Sequence, residues 1–523
     1  MNLYCALALG GAMLTSCGVK QEQKKEKAEK PNVILLMADD LGWGSVGFNG
    51  NTIIKTPNLD KMANEGVQLN RFYAASAVSS PTRASVLTGR NPYRTGVFTA
   101  NVGILRTEEV TLPEILKKEG YTTGHFGKWH LGTLTDTQRD ANRGRKGNTA
   151  EFNPPRLHGY DEAFVSESKV PTWDPMKKPS LTAPKLGWNY IKPGEKFYPF
   201  GTHYWDINDN KITENLEGDD SRVIMDRVLP FVEKNIDAKK PFLATVWFHA
   251  PHLPCVAGPE YAAMYDGYTD LEKNYFGCIT AMDEQVGRLR ALLKAKGADE
   301  NTIICFCSDN GPENGTPGVT GIYKERKRSL HEGGVRVPGI IYYPHLIKKP
   351  FKTDFPAVTS DYLPTIARLA GADITKLPYE LDGINLVPML THKMTQRPSP
   401  IVSCIADQIS LNGVEYKVYS QKNKWIYYNI VKDPTESNPI AETPELKALR
   451  EEMDVRMQHY KKSFEGKEYG QQSFDRLQQK WQDPKVFVHR ISHKKNKSYA
   501  CLKKGYYTES SSDRYRMSFL YRR

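Results

Sequence analysis

The sequence predicts an α/β protein in which helices cover both faces of a large, mixed and mostly parallel sheet, with a smaller C-terminal α+β subdomain. Continuous apolar runs at residues 32–38, 242–248 and 302–307 are typical of buried parallel strands. Amphipathic segments with helix-capping residues alternate with these runs. The chain has 523 residues, 39% of them hydrophobic, so it can form one large core and a smaller lobe.

The first 30 residues have the composition of an export signal and a tether. The apolar run at residues 7–14 is too short to span a bilayer, and Leu14-Thr15-Ser16-Cys17 resembles the cleavage box of bacterial lipoproteins. A plain secretory signal cut nearby is the alternative. We expect a signal peptide at 1–17, a charged linker at 18–30, and an exported protein, periplasmic or held at a membrane by a lipid on Cys17.

The first buried strand ends in two adjacent carboxylates, Asp39 and Asp40. Open α/β sheets place ligand sites at the carboxyl ends of their strands. Two neighbouring carboxylates repel each other, and a bound cation would neutralise them. An Asp-Asp pair can equally be a simple helix cap, so the pair alone leaves both interpretations open.

A short helix is predicted from Pro81 to Gly89, because Pro is favoured in the first turn and Gly just after the last. Ser79 would lie immediately before its N-terminus, where free backbone N–H groups favour an anion. Arg83, one turn further in, could reach back over Ser79 with donors suited to a tetrahedral oxyanion. The alternative is an N-capping serine on a surface helix.

Capping and periodicity signals predict further helices at residues 57–66 with Thr56 as the cap, 111–120 with a Thr111/Glu114 capping box, 219–235 and 268–296. A strand at the end of residues 120–130 would place Lys128 and His130 on one face. His252 follows the strand at 242–248, and His249 is interpreted as structural. Asp309 and Asn310 follow the strand at 302–307.

Long irregular segments at residues 139–146 and 171–201 are predicted to shape a substrate cleft. Residues 412–429 are predicted to form paired strands of the smaller lobe. The domain prediction is a catalytic domain at 31–395, a subdomain at 396–480 and a basic tail at 481–523, which has eleven Lys and Arg against three Asp and Glu. The cysteines are scattered without a disulfide or zinc pattern, and Cys305 and Cys307 are interpreted as core residues.

Several of these motifs together resemble the type I sulfatases, a formylglycine-dependent, arylsulfatase-like family of the alkaline phosphatase superfamily. Ser79-Ser80-Pro81-Thr82-Arg83 with Leu87-Thr88-Gly89 resembles its first signature, and residues 120–130 its second. The Pro-His-x-Pro context of His252, the sequence Ser308-Asp309-Asn310-Gly311 and Lys327 ahead of Glu332-Gly333-Gly334 also match. The resemblance covers residues 31–434, and Ser166 or Ser168 lies near a serine that contacts sulfate in the family.

The resemblance implies a site built around an oxidised Ser79. An anaerobic sulfatase-maturating enzyme would convert Ser79 to formylglycine (3-oxoalanine), whose hydrate is the nucleophile. One Ca²⁺ per chain would be held by Asp39, Asp40, Ser79, Asp309 and Asn310. The catalytic residues by resemblance are Ser79 itself, Arg83, Lys128 and Lys327 around the sulfate, His252 as the proton donor to the leaving alcohol, and His130 as the base that releases sulfate.

Three functions fit the sequence. The preferred prediction is an exported sulfatase acting on a sulfated carbohydrate: a glycosaminoglycan, mucin-type or algal fragment. The Arg, Lys, Trp and Tyr of the two long segments suit sulfated sugars better than a steroid. The alternatives are a phosphomonoesterase, phosphodiesterase or phosphonate hydrolase of the same superfold, and a non-catalytic glycan-binding lipoprotein if Ser79 is unmodified. Nucleic acid is not expected as a partner of an exported protein.

Overall fold

The computed structural model describes residues 29–181, 186–422 and 424–464. The predicted signal peptide, nearly all of the linker, the basic tail, Cys17 and Cys501 lie outside the described residues. Within the described ranges, no helix is long and apolar enough to cross a membrane.

The strands of the described chain are, in order, β1 (Asn32–Ala38), β2 (Val67–Leu69), β3 (Phe72–Tyr73), β4 (Thr122–Lys128), β5 (Glu162–Ser166), β6 (Ser180–Leu181), β7 (Trp188–Asn189), β8 (Tyr204–Asp206), β9 (Lys211–Ile212), β10 (Phe242–Trp247), β11 (Thr302–Ser308), β12 (Arg336–Val337), β13 (Gly339–Tyr342), β14 (Phe351–Thr353), β15 (Ala357–Val358), β16 (Ile401–Ile405), β17 (Gln408–Asn412), β18 (Tyr416–Gln421) and β19 (Lys424–Asn429).

The α-helices are α1 (Pro57–Glu65), α2 (Ser79–Thr88), α3 (Pro92–Thr95), α4 (Leu112–Lys118), α5 (Asp220–Asp237), α6 (Pro259–Ala263), α7 (Asp270–Ala295), α8 (Glu332–Val335), α9 (Tyr362–Ala370), α10 (Val387–Leu390) and α11 (Pro444–Phe464). The predicted helices at 57–66, 111–120, 219–235 and 268–296 are confirmed as α1, α4, α5 and α7, and α4 begins with the expected capping box.

The central sheet has the strand order β14-β2-β13-β11-β1-β10-β4-β5-β8-β9. Its middle strands, from β11 to β5, all run parallel, while β13 and β8 flank them in antiparallel pairings. This confirms the predicted mixed, mostly parallel sheet. The three central strands β11, β1 and β10 are continuous apolar runs because helices cover both of their faces.

Alternate residues of β1 pack into two separate cores. Val33 and Leu35 belong to the core beneath α2, α4 and α9, while Ile34 and Leu36 belong to the core beneath α1, α5 and α7. Cys305 and Cys307 pack into the first of these cores, as predicted. Burial of apolar surface on both faces fixes the sheet and therefore the positions of its strand ends.

A second, antiparallel sheet of β16-β17-β18-β19 forms the smaller C-terminal part, with α11 packed against it. It starts at Ile401, eleven residues before the predicted paired strands. A buried ion cluster joins it to the main body, because Lys417 Nζ lies 3.0 Å from a carboxylate oxygen of Glu332 and 2.9 Å from one of Glu436.

Candidate active site

Four neighbouring parallel strands end at the same edge of the central sheet, and the polar residues singled out in the sequence follow them. These residues are Asp39 and Asp40 after β1, Lys128 at the end of β4, His252 after β10, and Asp309 and Asn310 after β11. Parallel strands bring their carboxyl ends together, so residues far apart in the chain share one site.

Ser79 is the first residue of α2, which begins two residues earlier than predicted. Because the first four N–H groups of a helix have no partner in the helix, Pro81 is tolerated as its third residue. Ser79 is only 1% exposed, and its Oγ lies 3.3 Å from Asp39 Oδ1 and 3.5 Å from Asn310 Oδ1. Every residue of α2 is buried, so a capping serine on a surface helix is excluded.

The carboxylate and amide oxygens next to Ser79 form a compact donor set. Asp40 has a left-handed backbone (φ 65°), and its N–H donates to Asp309 Oδ1 over 3.1 Å. Asn310 Nδ2 donates to Asp40 Oδ1 over 2.7 Å. Ligand atoms of Asp39, Asp40 and His252 lie within 4.8 Å of one another. Hard oxygen donors at this spacing fit a cation such as Ca²⁺ or Mg²⁺.

Two buried cations flank Ser79 on the side of β4. Lys128 Nζ donates to Asp39 Oδ2 over 2.5 Å and lies 3.4 Å from Ser79 Oγ. The guanidinium of Arg83 donates to Asp309 Oδ2 over 2.7 Å and lies 3.5 Å from Asp39 Oδ2. Both side chains are almost fully buried, so water screens their charges little.

A third cation, Lys327, pairs with the other carboxylate of the Asp39-Asp40 pair and donates from Nζ to Asp40 Oδ2 over 2.7 Å. The same Nζ is 3.5 Å from Glu313, a neighbour with no motif to mark it in the sequence. His252 presents Nε2 to the same Asp40 oxygen at 3.7 Å, while its Nδ1 lies 2.7 Å from the Leu253 carbonyl. The site therefore has alternating positive and negative groups.

His130 reaches the site by a route that differs from the prediction. The strand β4 ends at Lys128, and His130 has a left-handed backbone with φ 57°. Strand alternation therefore does not place Lys128 and His130 on one face, and that prediction is wrong. Instead the His130 N–H donates to the Glu167 carbonyl over 2.9 Å, and its ring Nε2 lies 3.0 Å from Asn101 Oδ1.

Burial and charge shift the pKa values of these groups in opposite directions. Burial tends to raise the pKa of Asp39, but the charges of Lys128, His252 and Arg83 hold it well below its usual range. Burial, together with the charge of Asp39, raises the pKa of Asp309 to about 6. Burial also lowers the pKa of His252 to about 4 against the opposing effect of the carboxylates.

The serines near the expected sulfate contact take part in a separate buried network. Ser166 Oγ lies 2.7 Å from His249 Nε2 and donates to the Ser168 carbonyl, while His249 Nδ1 lies 2.8 Å from Asp220 Oδ2. The hydroxyl of Ser166 is thus held by protein groups. His249 is fully buried, which agrees with its structural interpretation.

Family models, curated relatives and a solved structure all indicate one protein family. A family model described as Sulfatase matches residues 31–372, and one described as N-sulphoglucosamine sulphohydrolase, C-terminal, matches residues 318–463. The chain is 32% identical to N-acetylgalactosamine-6-sulfatase of Mus musculus, covering 71% of this chain and 68% of that one. It is 31% identical to steryl-sulfatase of Rattus norvegicus, covering 78% of each.

A solved structure described as Ps i-CgsB in complex with k-i-k-neocarrahexaose has a similar fold. The TM-score is 0.69 at 28% identity, and the match covers 83% of this chain and 93% of that one.

Proposed function

Because the chain belongs to the sulfatase family, in the alkaline phosphatase superfamily, and is therefore a sulfuric ester hydrolase, we propose that its substrate is a sulfated saccharide. We propose further that Ser79 is converted to formylglycine and that one Ca²⁺ binds beside it. The observation that carries the proposal is the position of Ser79, buried at a helix N-terminus between carboxylate oxygens and the ammonium of Lys128.

The modification and the metal each supply chemistry that an unmodified serine lacks. Formylglycine supplies a hydrated aldehyde, and the cation supplies charge stabilisation for sulfate oxygens. The residues that would hold the cation are Asp39, Asp40, Asp309, Asn310 and the side chain at position 79.

The three buried cations are suited to bind the sulfate group. Arg83, Lys128 and Lys327 each contact a carboxylate of the site, which is Asp309, Asp39 and Asp40 respectively. A sulfate bound among them would exchange part of these contacts for charge-assisted hydrogen bonds to its oxygens. Since the positive groups are fixed before substrate binds, little reorganisation is needed as charge develops in the transition state.

The two histidines would move protons at opposite sides of the sulfate. His252 presents Nε2 beside Asp40, on the side of Lys327, where it would protonate the leaving alcohol. A bound anion would raise the pKa of His252 from its present low value and favour the protonated form. His130 lies beyond Lys128 and would accept the proton whose removal precedes sulfate release.

A saccharide is supported by the segment at residues 171–201, which exposes aromatic rings next to lysines. Phe197 and Tyr198 are half to two-thirds exposed, with Lys177 Nζ 5.3 Å from the Phe197 ring and Lys196 Nζ 5.6 Å from the Tyr198 ring. Thr172, near the start of the segment, is tied by hydrogen bonds to the chain just after His252. Aromatic faces stack on sugar rings, and the lysines suit further sulfates.

The names of the relatives support the same class, with one competitor. One relative is named for N-acetylgalactosamine and one structure contains k-i-k-neocarrahexaose, whereas another relative is named for steryl sulfate. A panel of defined sulfated mono- and oligosaccharides, an aryl sulfate, a steroid sulfate and a phosphate monoester tests the proposal. Turnover of the steroid sulfate alone would overturn the saccharide, and turnover of the phosphate alone would favour the phosphatase alternative.

The state of Ser79 is tested separately by mass spectrometry of the peptide that contains it, because conversion to the aldehyde removes two hydrogens. We propose that an anaerobic sulfatase-maturating enzyme makes this change and that the protein is exported and lipid-anchored through Cys17. Unmodified Ser79 in protein from the native host would contradict the mechanism and favour a non-catalytic glycan-binding protein. Labelling with a radioactive fatty acid, lost in Cys17→Ala, tests the anchor.

A further inference from the structure

The hydrogen bonds around His130 define which ring nitrogen carries its proton. Asn101 Oδ1, the amide oxygen, accepts a hydrogen bond from Asn142 Nδ2 over 3.1 Å, so this oxygen faces both Asn142 and His130. The same oxygen lies 3.0 Å from His130 Nε2. An amide oxygen has no hydrogen to give, so the hydrogen bond requires a proton on Nε2. In a neutral imidazole Nδ1 then has a free lone pair.

The other ring nitrogen is left without a protein partner. His130 Nδ1 is buried and has no hydrogen-bond partner within the part of the chain that the structure describes. Buried polar atoms are nearly always paired, and exceptions often have a functional reason. Burial lowers the pKa of His130 well below its usual value, and the charges of Lys128, Arg143 and Arg83 act in the same direction, against the effect of Asp39.

A closed frame of contacts holds Asn101 against the histidine. Asn101 has a left-handed backbone with φ 63°, a conformation that Asn tolerates better than most residues. Two residues on, the Gly103 carbonyl accepts from Arg143 Nη1 over 3.0 Å, and Arg143 Nε donates to Glu167 over 3.0 Å. The Glu167 carbonyl in turn accepts the His130 N–H. The loop that carries Asn101 and the turn that carries His130 are therefore attached to the same residue.

We propose that Asn101 is a positioning residue that keeps His130 in the tautomer with its proton on Nε2, so that Nδ1 can accept a proton in the active site. This inference rests on the proposed function for the use made of that proton, but the tautomer itself does not depend on it. Asn142 fixes the orientation of the Asn101 amide, and Glu167 fixes the distance between the two loops.

Nitrogen NMR of the unmodified protein, labelled with ¹⁵N-histidine and made in a host without a maturase, tests the tautomer directly. Comparison with His130→Gln assigns the signals. We expect a protonated Nε2 and a bare Nδ1 in the wild type and in Asn101→Asp, which keeps the acceptor oxygen. Asn101→Gly removes the acceptor but accepts a positive φ without strain, and we expect it to lose this single tautomer. A proton on Nδ1 in the wild type, or an unchanged tautomer in Asn101→Gly, would overturn the inference.

Steady-state kinetics of the matured enzyme on a sulfated substrate tests the use of the tautomer. Asn101→Gly should lower kcat by about tenfold or more, because a positioned base contributes about 10²–10⁴-fold. KM should change little, and Asn101→Asp should restore much of kcat. The matched control is Asn215→Gly, which makes the same change at an exposed Asn that also has a positive φ (51°) and should leave kcat and the His130 signals unchanged. A KM effect without a kcat effect would contradict a role through His130.

The two arms separate failure of the inference from failure of the proposed function. If no variant hydrolyses a sulfate ester, the proposed function fails, while the nitrogen signals still decide the tautomer. If the wild type is active and Asn101→Gly keeps both its kcat and its tautomer, only the positioning role fails.

Discussion

Neutralising Glu436 should weaken the junction between the C-terminal sheet and the main body. Glu436 is 1% exposed, and one of its oxygens contacts Lys417 at 2.9 Å and His331 Nδ1 at 3.0 Å. The other oxygen accepts the Glu332 N–H over 2.7 Å. In Glu436→Gln, the amide NH₂ would face one of these donors and leave it without an acceptor.

The magnitude follows from the pKa of the carboxyl. Burial tends to raise it, but Lys417 and His331 lower the pKa of Glu436 from 4.5 to about 2. The lowering from 4.5 to about 2, at about 1.4 kcal/mol per pH unit, corresponds to roughly 3–4 kcal/mol of stability at neutral pH. Because the folded pKa is lowered, this contribution is fully present above pH 4.5 and is lost as the pH falls towards 2.

Urea unfolding followed by tryptophan fluorescence at pH 6 and pH 4 measures both effects. We expect Glu436→Gln to be less stable than the wild type by roughly 3–4 kcal/mol at pH 6. The difference should shrink by roughly 1 kcal/mol at pH 4, because only the wild type loses this charge. Glu442→Gln is the matched control, since the half-exposed pair of Glu442 with Arg450 contributes about 1 kcal/mol or less. A loss below about 1 kcal/mol for Glu436→Gln, or a difference that stays constant with pH, would refute the reasoning.

Substitutions at three other positions test the site. Ser79→Ala should abolish sulfate release while the unfolding midpoint stays near wild type; activity in this variant would remove Ser79 from the mechanism, and Ser79→Cys should recover activity in a host with a cysteine-type maturase. Asp309→Ala should weaken Ca²⁺ binding and lower kcat together, because the site loses a charged ligand. In the wild type treated with EDTA, recovery of activity with zinc but not with calcium would contradict the metal assignment. Tyr198→Ala should raise the KM for a sulfated oligosaccharide by about fivefold or more, because roughly 1 kcal/mol of stacking is lost. The KM for an aryl sulfate should stay unchanged, and equal effects on the two substrates would argue against stacking of a sugar on Tyr198.

The central part of the fold and the core of the site were predictable from local sequence. The apolar runs of β1, β10 and β11 predict buried parallel strands, and parallel strands must end together, so Asp39 and Asp309 were expected to meet. The structure places them in one cluster with Arg83 between them, 2.7 Å from Asp309 and 3.5 Å from Asp39.

Local rules failed where the backbone leaves regular structure. The start of α2 was misplaced because a proline marks any of the first helical positions, so Pro81 could not locate the first residue. The alternation of side chains along a strand failed to place His130, because the strand ends at Lys128 and His130 has a positive φ. Neither Trp129 nor His130 is a residue type that predicts a positive φ.

The sequence by itself determined which polar residues lie at the carboxyl edge of the sheet. Burial of apolar surface forces the apolar strands into the sheet, and the polar residues that follow them are therefore left at its edge. Only the tertiary structure decided which loop residue supports which site residue. Asn101 contacts His130 and Glu436 contacts Lys417, although each pair is separated by 19 residues or more and neither Asn101 nor Glu436 belongs to a motif. Such contacts depend on the paths of whole loops, which are set by many weak packing and hydrogen-bonding interactions rather than by a local pattern.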